Sequence, residues 1–302
     1  MENNSFSVDA LVPQAMAEKM EHVGVVKANL GPLRMFALSV LAGAFIALGA
    51  IFATTATTGA GDLPYGIGKL IGGLVFSLGL ILVIGAGAEL FTGNNLIVMA
   101  WAHGRVSTIR LLRNWIIVYF GNFTGSILTV VMMLFSGQYL FNNGAIGLNA
   151  LNIANHKVGL DLVQALFLGI LCNALVCLAV WLCIGARSVT DKILAIIFPI
   201  TAFVAAGFEH SIANMYFIPM GLAIKANAGA EFWGQIGKTA ADYANLTWGN
   251  FFLANLLPVT IGNIIGGAVM VGLVYWFIYL RPSWTGQTAS PQPEAEPRPF
   301  KA

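Results

Sequence analysis

Long uncharged hydrophobic stretches, separated by short polar segments, occupy most of the chain. Six of them contain at most one Asp, Glu, Lys or Arg each: 35–61, 70–104, 114–156, 162–186, 193–224 and 243–280. A helix needs roughly 20 apolar residues to cross the hydrocarbon core of a bilayer. Each stretch supplies one such helix, so the pattern predicts an all-α integral membrane protein with six transmembrane helices.

Two of the predicted spans are interrupted by a glycine that is followed closely by a carboxylate. The interruptions are residues 87–93, with the sequence GAELFTG, and residues 207–211, with the sequence GFEHS. Ionisable residues are costly at membrane depth and usually face a pathway or a partner. Hydrophobic segments interrupted at corresponding positions of two halves are typical of a transport site. The sequence therefore predicts that spans two and five are broken and that the protein moves a small solute across a membrane.

The two halves are predicted to form an inverted 3+3 repeat. GNFTG (121–125) in span three is echoed by GNIIG (262–266) in span six, and an odd number of spans per half gives the halves opposite orientations. We interpret the Gly-x-x-x-Gly spacing as helix packing. Eleven of the fifteen Lys and Arg residues fall on the side of the N-terminus, so the positive-inside rule predicts that both termini are cytoplasmic.

The composition narrows the class of protein further. The chain is 58% hydrophobic and 9% charged, whereas soluble domains have about 25% charged residues. A net charge of +2, with no basic run, argues against nucleic acid as a partner. Cys172, Cys177 and Cys183 all fall within one apolar stretch, which favours buried thiols over a disulfide or a metal site. We expect neither a metal nor a cofactor.

The two ends differ from the spans between them. Residues 1–32 combine charges with apolar residues at helical spacing, and they predict a cytoplasmic amphipathic helix that lies against the protein or the membrane surface. Residues 33–281 form the predicted channel domain. The segment 282–302 contains five of the eleven prolines, and it is predicted to be a disordered cytoplasmic tail.

His210 is the first candidate for chemistry, because it is the one histidine of four that lies inside a predicted span. An imidazole titrates near pH ~6.5, so it can hold a charge, donate a proton or bind a passing solute. Thr92 offers a hydroxyl to a solute or to the free backbone groups of a broken helix. Glu89 and Glu209 would repel an anion in the pathway, and we therefore interpret both as structural.

Other residues near the breaks have more than one interpretation. Lys157 either pairs with Asp161 one turn later or acts as an outer cation that attracts anions, and the spacing alone favours the pair. Gly93 is expected to give an unwound loop its backbone freedom, together with Gly85 and Gly87.

Several of these stretches resemble the signatures of the formate/nitrite transporter family. The resemblance covers roughly residues 5–281 and is carried by four stretches: 84–93 (IGAGAELFTG), 169–179 (GILCNALVCLA), 207–214 (GFEHSIAN) and 261–267 (IGNIIGG). It implies an aquaporin-like protomer that assembles as a homopentamer with one pore per protomer. It also implies that the N-terminal helix moves against the pore mouth as a pH-linked gate.

The resemblance also assigns roles to individual residues. The first break would be a mobile loop that carries Leu90, Phe91 and Thr92. His210 would be the central pore histidine, with Asn173 close by.

Further roles follow from the same resemblance. Phe76, Leu80 and Phe203 would be apolar constrictions, which exclude hydrated ions. Lys157 would be a vestibule lysine, and Asn214 would be a structural residue of the second broken helix.

We therefore expect a passive or proton-coupled formate channel of a bacterial inner membrane, and not an enzyme. Formate would enter a positively charged vestibule and meet an imidazolium at His210, which offsets its desolvation or passes it a proton. Nitrite and hydrosulfide are alternative substrates, and acetate and other small monocarboxylates are further candidates. Besides membrane lipid, a cytosolic formate-metabolising enzyme is a candidate partner for the N-terminal arm.

Three other classes fit less well. An aquaglyceroporin normally carries two Asn-Pro-Ala motifs, and this chain has none. A haem enzyme with two axial imidazoles needs two histidines at membrane depth, and only His210 qualifies. A structural scaffold would give no reason for the paired breaks.

Overall fold

The structure is a computed structural model that describes residues 9–281, and every regular element in that range is helical. The first part of the chain forms α1 (Pro13–Ala28), α2 (Pro32–Ala56), α3 (Tyr65–Phe76), α4 (Leu78–Ala86), α5 (Phe91–Asn94), α6 (Val98–Ala102) and α7 (Thr108–Phe135). The second part forms α8 (Ala145–Val158), α9 (Leu162–Gly185), α10 (Val189–Ala205), α11 (Ser211–Asn227), α12 (Ala230–Ile236), α13 (Trp248–Asn250) and α14 (Leu257–Ile264). The prediction of an all-α protein is confirmed for this range.

Shorter elements connect or extend these helices. The 3₁₀ turns are Ala60–Asp62, Asn95–Ile97, Gln138–Leu140 and Ala240–Tyr243. The π-helical segments lie on both sides of α14: Phe251–Leu256, Ile265–Leu273 and Trp276–Leu280. The last apolar stretch is thus one long helical rod that alternates between α and π geometry.

Five helical stretches of the described range are long and apolar enough to cross a membrane: Pro32–Ala56, Tyr65–Ala86, Thr108–Phe135, Leu162–Gly185 and Ala240–Leu280. The remaining predicted span, 193–224, is divided between α10 and α11. Because α10 has 17 residues, it extends over about 26 Å at 1.5 Å per residue, somewhat less than a bilayer core.

Glycines allow close contacts between the long helices. A Cβ at Gly125 on α7 would overlap the carbonyl of Val40 on α2. In the same way, a Cβ at Gly266 would overlap the carbonyl of Ile170 on α9. The interpretation of both Gly-x-x-x-Gly stretches as helix packing is therefore confirmed, since the backbones meet where a larger side chain would not fit.

The N-terminal helix α1 packs against the protein. Met16 and Met20 are buried against Leu96 and Trp181, and the Leu11 N–H donates to the carbonyl oxygen of Gly185 at 3.1 Å. The helix has 16 residues, fewer than the predicted 1–32, because Pro32 begins α2 after a short turn. Predictions for residues 1–8 and for the tail 282–302 lie outside the described residues.

Candidate functional site

The two breaks have the same backbone geometry. Gly87 follows α4 with φ 80°, and Gly207 follows the end of α10 with φ 75°. Both values lie in the left-handed region that glycine adopts without steric cost. After the turn, the Glu89 N–H donates to the Leu38 carbonyl at 3.2 Å, and the Glu209 N–H donates to the Leu168 carbonyl at 3.3 Å. Each break is thus an extended segment held by a neighbouring long helix, α2 or α9.

One asparagine side chain binds the backbone of each break. Asn122 Nδ2 donates to the carbonyl oxygens of Ser39 (2.8 Å) and Glu89 (2.9 Å), and its Oδ1 accepts from the Phe91 N–H. Asn263 Nδ2 donates to the carbonyl oxygens of Gly169 (2.8 Å) and Glu209 (3.0 Å). These amides satisfy backbone groups that a broken helix leaves free, and such groups cost several kcal/mol in lipid when unpaired.

The Asn263 side chain completes the correspondence. Its Oδ1 accepts from the Ser211 N–H at 2.9 Å, as Asn122 Oδ1 accepts from the Phe91 N–H at the same distance. Phe91 is the first residue of α5 and Ser211 the first of α11. One asparagine therefore holds the start of each helix that follows a break.

Each carboxylate of the breaks forms an ion pair with a lysine from a preceding helix. Lys27 Nζ lies 2.6 Å from Glu89 Oε1, and Lys157 Nζ lies 2.7 Å from Glu209 Oε1. Lys27 also donates to Asn94 Oδ1 at 3.1 Å. Since the glutamates are buried, the lysines supply the opposite charge that a carboxylate needs at such a position.

Asparagine amides saturate the second oxygen of each carboxylate. Asn94 Nδ2 donates to Glu89 Oε2 at 2.7 Å and to Asn114 Oδ1 at 3.0 Å. In the second break, Asn214 Nδ2 donates to Glu209 Oε2 and to Asn255 Oδ1, both at 2.7 Å. Asn255 Nδ2 also donates to Glu209 Oε2 at 3.1 Å. This geometry fits the interpretation of Glu89 and Glu209 as structural residues.

Thr92, just after the first break, contacts His210, at the end of the second break. The Thr92 Oγ1 and His210 Nε2 atoms lie 3.0 Å apart, and both residues are buried. His210 Nδ1 accepts from the Ala213 N–H at 3.0 Å and thereby caps α11. Because Nδ1 is an acceptor, these bonds assign the neutral Nε2–H tautomer, in which Nε2 donates to Thr92.

Asn173 lies behind this pair. Its Nδ2 lies 3.3 Å from the Thr92 carbonyl, 2.8 Å from Asn95 Oδ1 and 2.6 Å from the Asn263 carbonyl. Its hydrogen bond to Thr92 goes to the backbone carbonyl. Asn173 therefore connects α9 to the segment after the first break and to the last helical rod.

One aromatic ring stacks on the imidazole of His210, and a second ring packs against the first. The Phe203 ring is stacked on His210 with 5.9 Å between centroids, and it meets Phe76 edge to face at 5.8 Å. Leu80, Leu90 and the two phenylalanines are each 3% exposed. Phe91 packs against Tyr119, with 4.9 Å between the ring centroids.

A cavity of about 520 Å³ reaches this cluster from one end of the protein. Its buried end is lined by Phe76, Phe203 and His210, and its open end by residues such as Tyr65. Lys157 and Glu209 lie on its wall as an ion pair. Within residues 9–281, no group of three or more His, Cys, Asp or Glu side chains is arranged to hold a metal ion.

Three sequence predictions require correction or refinement. Lys157 pairs with Glu209, so the favoured pairing with Asp161 is wrong; Asp161 instead caps α9 in a capping box with Gln164. Gly93 lies within α5 and not in an unwound loop. Likewise, Phe91 and Thr92 are helical, and only the preceding residues form the break.

Several residues of the site escaped the sequence analysis, namely Lys27, Asn94, Asn95, Asn114 and Asn255. The sequence positions of some of these residues could have indicated their roles. Asn94 and Asn214 each follow the glutamate of their break by five residues, and Lys27 and Lys157 each precede the first residue of a long helix by five. The asparagines carry no charge, so a search for charged residues does not detect them.

A family model described as "Formate/nitrite transporter" matches residues 14–277. The chain belongs to the formate/nitrite transporter family. The match includes nearly all of α1, both breaks and nearly all of the last helical rod, and the family resemblance inferred from the four sequence stretches is confirmed. As a member of this family with several membrane-length apolar helices, the protein is a multi-pass membrane protein.

Individual members of the formate/nitrite transporter family are similar to this chain over most of their length. The formate channel FocA of Escherichia coli (strain K12) is 51% identical over 273 residues, which cover 90% of this chain and 96% of that protein. A solved structure described as a pentameric formate channel with formate bound is 50% identical, with a TM-score of 0.79 over 83% of this chain and 98% of the other. A second solved structure, described as an FNT family ion channel, is 29% identical and has a TM-score of 0.75. The match covers 87% of this chain and 98% of the other.

Proposed function

We propose that this protein is a formate channel of a bacterial inner membrane, passive or coupled to a proton. The observation that carries the proposal is the buried hydrogen bond between Thr92 and His210, which joins the two broken segments. Similarity to channels that are named for formate supports this substrate over nitrite. The chain would act by conduction and not by catalysis.

The proposed contact with formate uses a neutral donor pair. His210 Nε2–H donates to Thr92 Oγ1, so the Thr92 hydroxyl proton is directed elsewhere; no acceptor for it occurs among residues 9–281. A carboxylate that reaches Thr92 would accept this proton in a hydrogen bond. Such a bond offsets part of the desolvation of the anion without placing a permanent positive charge in the pore.

This mechanism refines the expectation of an imidazolium. A proton added to His210 would go to Nδ1, which accepts the Ala213 N–H in the assigned tautomer. Protonation therefore breaks the cap of α11, and this cost opposes a resting imidazolium. A transient proton on His210 could still pass to formate, so that neutral formic acid crosses the apolar segment.

The surroundings of the pair suit a small anion. Phe76, Leu80 and Phe203 would form one apolar constriction and Leu90 the other, where hydrated ions lose their water at high cost. Lys157 would line the outer vestibule, with its charge balanced by Glu209. Because Lys27 and Lys157 neutralise the buried glutamates, these carboxylates would not repel the anion. Phe91 would support the first break through its contact with Tyr119.

The architecture we propose has six spans in an inverted 3+3 repeat. The matched breaks and the matched asparagines Asn122 and Asn263 support it, since each half supplies the same contacts from corresponding helices. By similarity to the pentameric channel, we infer a homopentamer. Both termini would be cytoplasmic, residues 1–32 would form the pH-linked gate and a docking arm for a formate-metabolising enzyme, and 282–302 would be a cytoplasmic tail.

A flux measurement tests the proposed function. The purified protein is reconstituted in liposomes, and the influx of formate, nitrite and acetate is compared between pH 7 and pH 5. We expect saturable formate flux that changes with pH and exceeds that of nitrite. Faster nitrite flux would move the protein to another branch of the family, and the absence of flux for every anion would contradict a channel function.

A further inference from the structure

The cavity that leads to His210 is much larger than formate requires. Its volume of about 520 Å³ falls within the range of about 300–1,000 Å³ that is typical of pockets for drug-sized ligands. Its lining extends to the buried rings of Phe76 and Phe203, which meet edge to face. A molecule several times larger than formate therefore fits in the cavity, with these two rings at its buried end.

Both lysines of the cavity wall lie beside aromatic rings. Lys69 Nζ lies 5.4 Å from the centroid of the Tyr65 ring, and Lys157 Nζ lies 5.5 Å from the centroid of the Phe217 ring. The four side chains all line the cavity. A surface that pairs cations with aromatic faces is complementary to a ligand that combines an anionic group with a flat ring.

The electrostatic balance of the cavity favours an anion. Lys69 and Lys157 line it, whereas Glu209 is its one carboxylate residue among those described, and Glu209 is already paired with Lys157. None of the ion pairs between residues 9 and 281 includes Lys69. The ammonium of Lys69 therefore remains available for the carboxylate of a ligand.

Helix α3 sets the distance between the two parts of the ligand. Lys69, Gly72 and Phe76 line the cavity at helical spacing, so they lie along one face of α3. Seven residues of α-helix separate Lys69 from Phe76 by about 10 Å. Tyr65 at the start of the helix is 77% exposed, whereas Phe76 is 3% exposed. A ligand bound at Lys69 can thus extend a short chain and a ring inward to Phe76.

We propose that this cavity binds aromatic monocarboxylates and that a bound aromatic monocarboxylate blocks the pore instead of passing through it. The carboxylate is held at Lys69 and the ring lies against Phe76, Phe203 and Phe217. The binding site itself is independent of the transported solute, whereas the block of formate flux rests on the proposed function.

Direct binding to the purified protein is measured by isothermal titration in lipid nanodiscs, with empty nanodiscs as the reference. The probe is 3-phenylpropanoate, and the matched ligands are 3-phenylpropan-1-ol, which lacks the charge, and propanoate, which lacks the ring. We expect 3-phenylpropanoate to bind at least about tenfold more tightly than either, since a charge-assisted contact typically contributes a factor of this size. Equal binding of the alcohol or of propanoate would overturn the proposal.

Variants locate the site. Lys69→Met should weaken 3-phenylpropanoate binding by about tenfold, whereas Lys69→Arg should retain most of it, because the arginine keeps the charge. Lys238→Met is the matched control, since Lys238 does not line the cavity. An unchanged affinity in Lys69→Met, or an equal loss in Lys238→Met, would show that the ligand binds elsewhere.

A flux assay separates this inference from the proposed function. 3-Phenylpropanoate added on the cavity side should inhibit formate flux and should not itself be transported. Binding that depends on Lys69 without any formate flux would contradict the formate channel but leave the binding site intact. If formate flux is normal and 3-phenylpropanoate neither binds nor inhibits it, the inference is overturned and the formate channel stands. Transport of 3-phenylpropanoate through the protein would also overturn the inference.

Discussion

The two ring nitrogens of His210 have different partners, which determines what a substitution at this position removes. Nδ1 accepts the N–H of Ala213, and Nε2 donates to Thr92. Asparagine is a favourable N-cap residue, and its amide has both an acceptor and a donor. Unlike imidazole, an amide does not take up a proton near neutral pH.

His210→Asn should therefore retain folding and formate flux but lose the pH dependence of that flux. The Asn oxygen can replace Nδ1 as the cap of α11, whereas its NH₂ group ends one bond short of the Nε2 position, so the contact with Thr92 would be longer. Flux in proteoliposomes between pH 7 and pH 5 checks this outcome. His210→Phe is the control, because it keeps a ring but removes both hydrogen bonds. If His210→Asn keeps the pH response of the unmodified protein, His210 does not exchange protons with the solute.

The Lys157–Glu209 ion pair gives a second prediction at the residue scale. The two side chains are 13% and 3% exposed, so removal of one charge leaves the other buried without a counter-ion. Lys157→Met should lower the free energy of unfolding by about 3–5 kcal/mol. The double variant Lys157→Met/Glu209→Gln should recover much of this loss, because no buried charge remains.

Thermal unfolding of the detergent-solubilised protein measures this effect. Lys225→Met is a useful comparison, since Lys225 donates to the carbonyl oxygens of Tyr243 and Leu246 and pairs with no carboxylate in the described part of the chain. A double variant that is no more stable than Lys157→Met would mean that the contact of Lys157 with the Phe217 ring, and not charge pairing, dominates.

At the scale of helices, the glycine contacts between long helices leave no room for a larger side chain. A Cβ at Gly266 would overlap the carbonyl of Ile170, whereas a Cβ at Gly85 in α4 would meet no atom within 4 Å. Overpacking of a close contact typically costs about 1–3 kcal/mol. Gly266→Ala should therefore destabilise the protein by this amount, with α9 and the last rod forced apart.

Gly85→Ala is the matched control for this prediction, and it should be neutral or slightly stabilising because alanine has the higher helix propensity. The two variants are compared by thermal unfolding in the same detergent. Equal stability of Gly266→Ala and Gly85→Ala would show that α9 and the last rod can separate without cost, which the backbone contact at Gly266 contradicts.

The helices and the breaks could be predicted from the sequence because both depend on local signals. An uncharged stretch must be helical to satisfy its backbone in lipid, and Gly87 and Gly207 mark the positions where φ becomes positive. The partner of Lys157 could not be predicted in this way. Asp161 is four residues away in the sequence, but Glu209, 52 residues away, lies 2.7 Å from the lysine in space.

The asparagine contacts were missed for a related reason. Asn114 and Asn255 lie in stretches without charged residues, where hydropathy treats them as minor interruptions. Their importance follows from long-range contacts, since each completes a buried network around the glutamate of a break. The resemblance to a known family, and not residue spacing, was what selected Asn173.

At the scale of the whole molecule, each network of the first half has a counterpart in the second. Lys27, Glu89 and Asn94 correspond to Lys157, Glu209 and Asn214. The asymmetry arises at the position after each glutamate. There the first break has Leu90 and the second has His210, so a single imidazole caps the second half and bonds to the first. Two matching networks thus flank a polar contact, between Thr92 and His210, that joins them.

The proposed orientation of this scaffold gives the last prediction. The three native cysteines are free and buried, so a cysteine introduced at an exposed site should dominate labelling by a membrane-impermeant maleimide. Asp62, between α2 and α3, and His22, on α1, are both exposed and lie at opposite ends of α2. With both termini cytoplasmic, Asp62→Cys should react in intact spheroplasts.

His22→Cys should react only after the spheroplasts are lysed, because positive-inside sorting places α1 on the cytoplasmic side. The unsubstituted protein, labelled in parallel, measures the background from the buried thiols. The reverse labelling pattern would mean that the protein has the opposite orientation in the membrane. The cavity that contains Lys69 would then open on the cytoplasmic side. Reaction of both sites before lysis would instead mean that the chain inserts in both orientations, which the excess of eleven basic residues over four opposes.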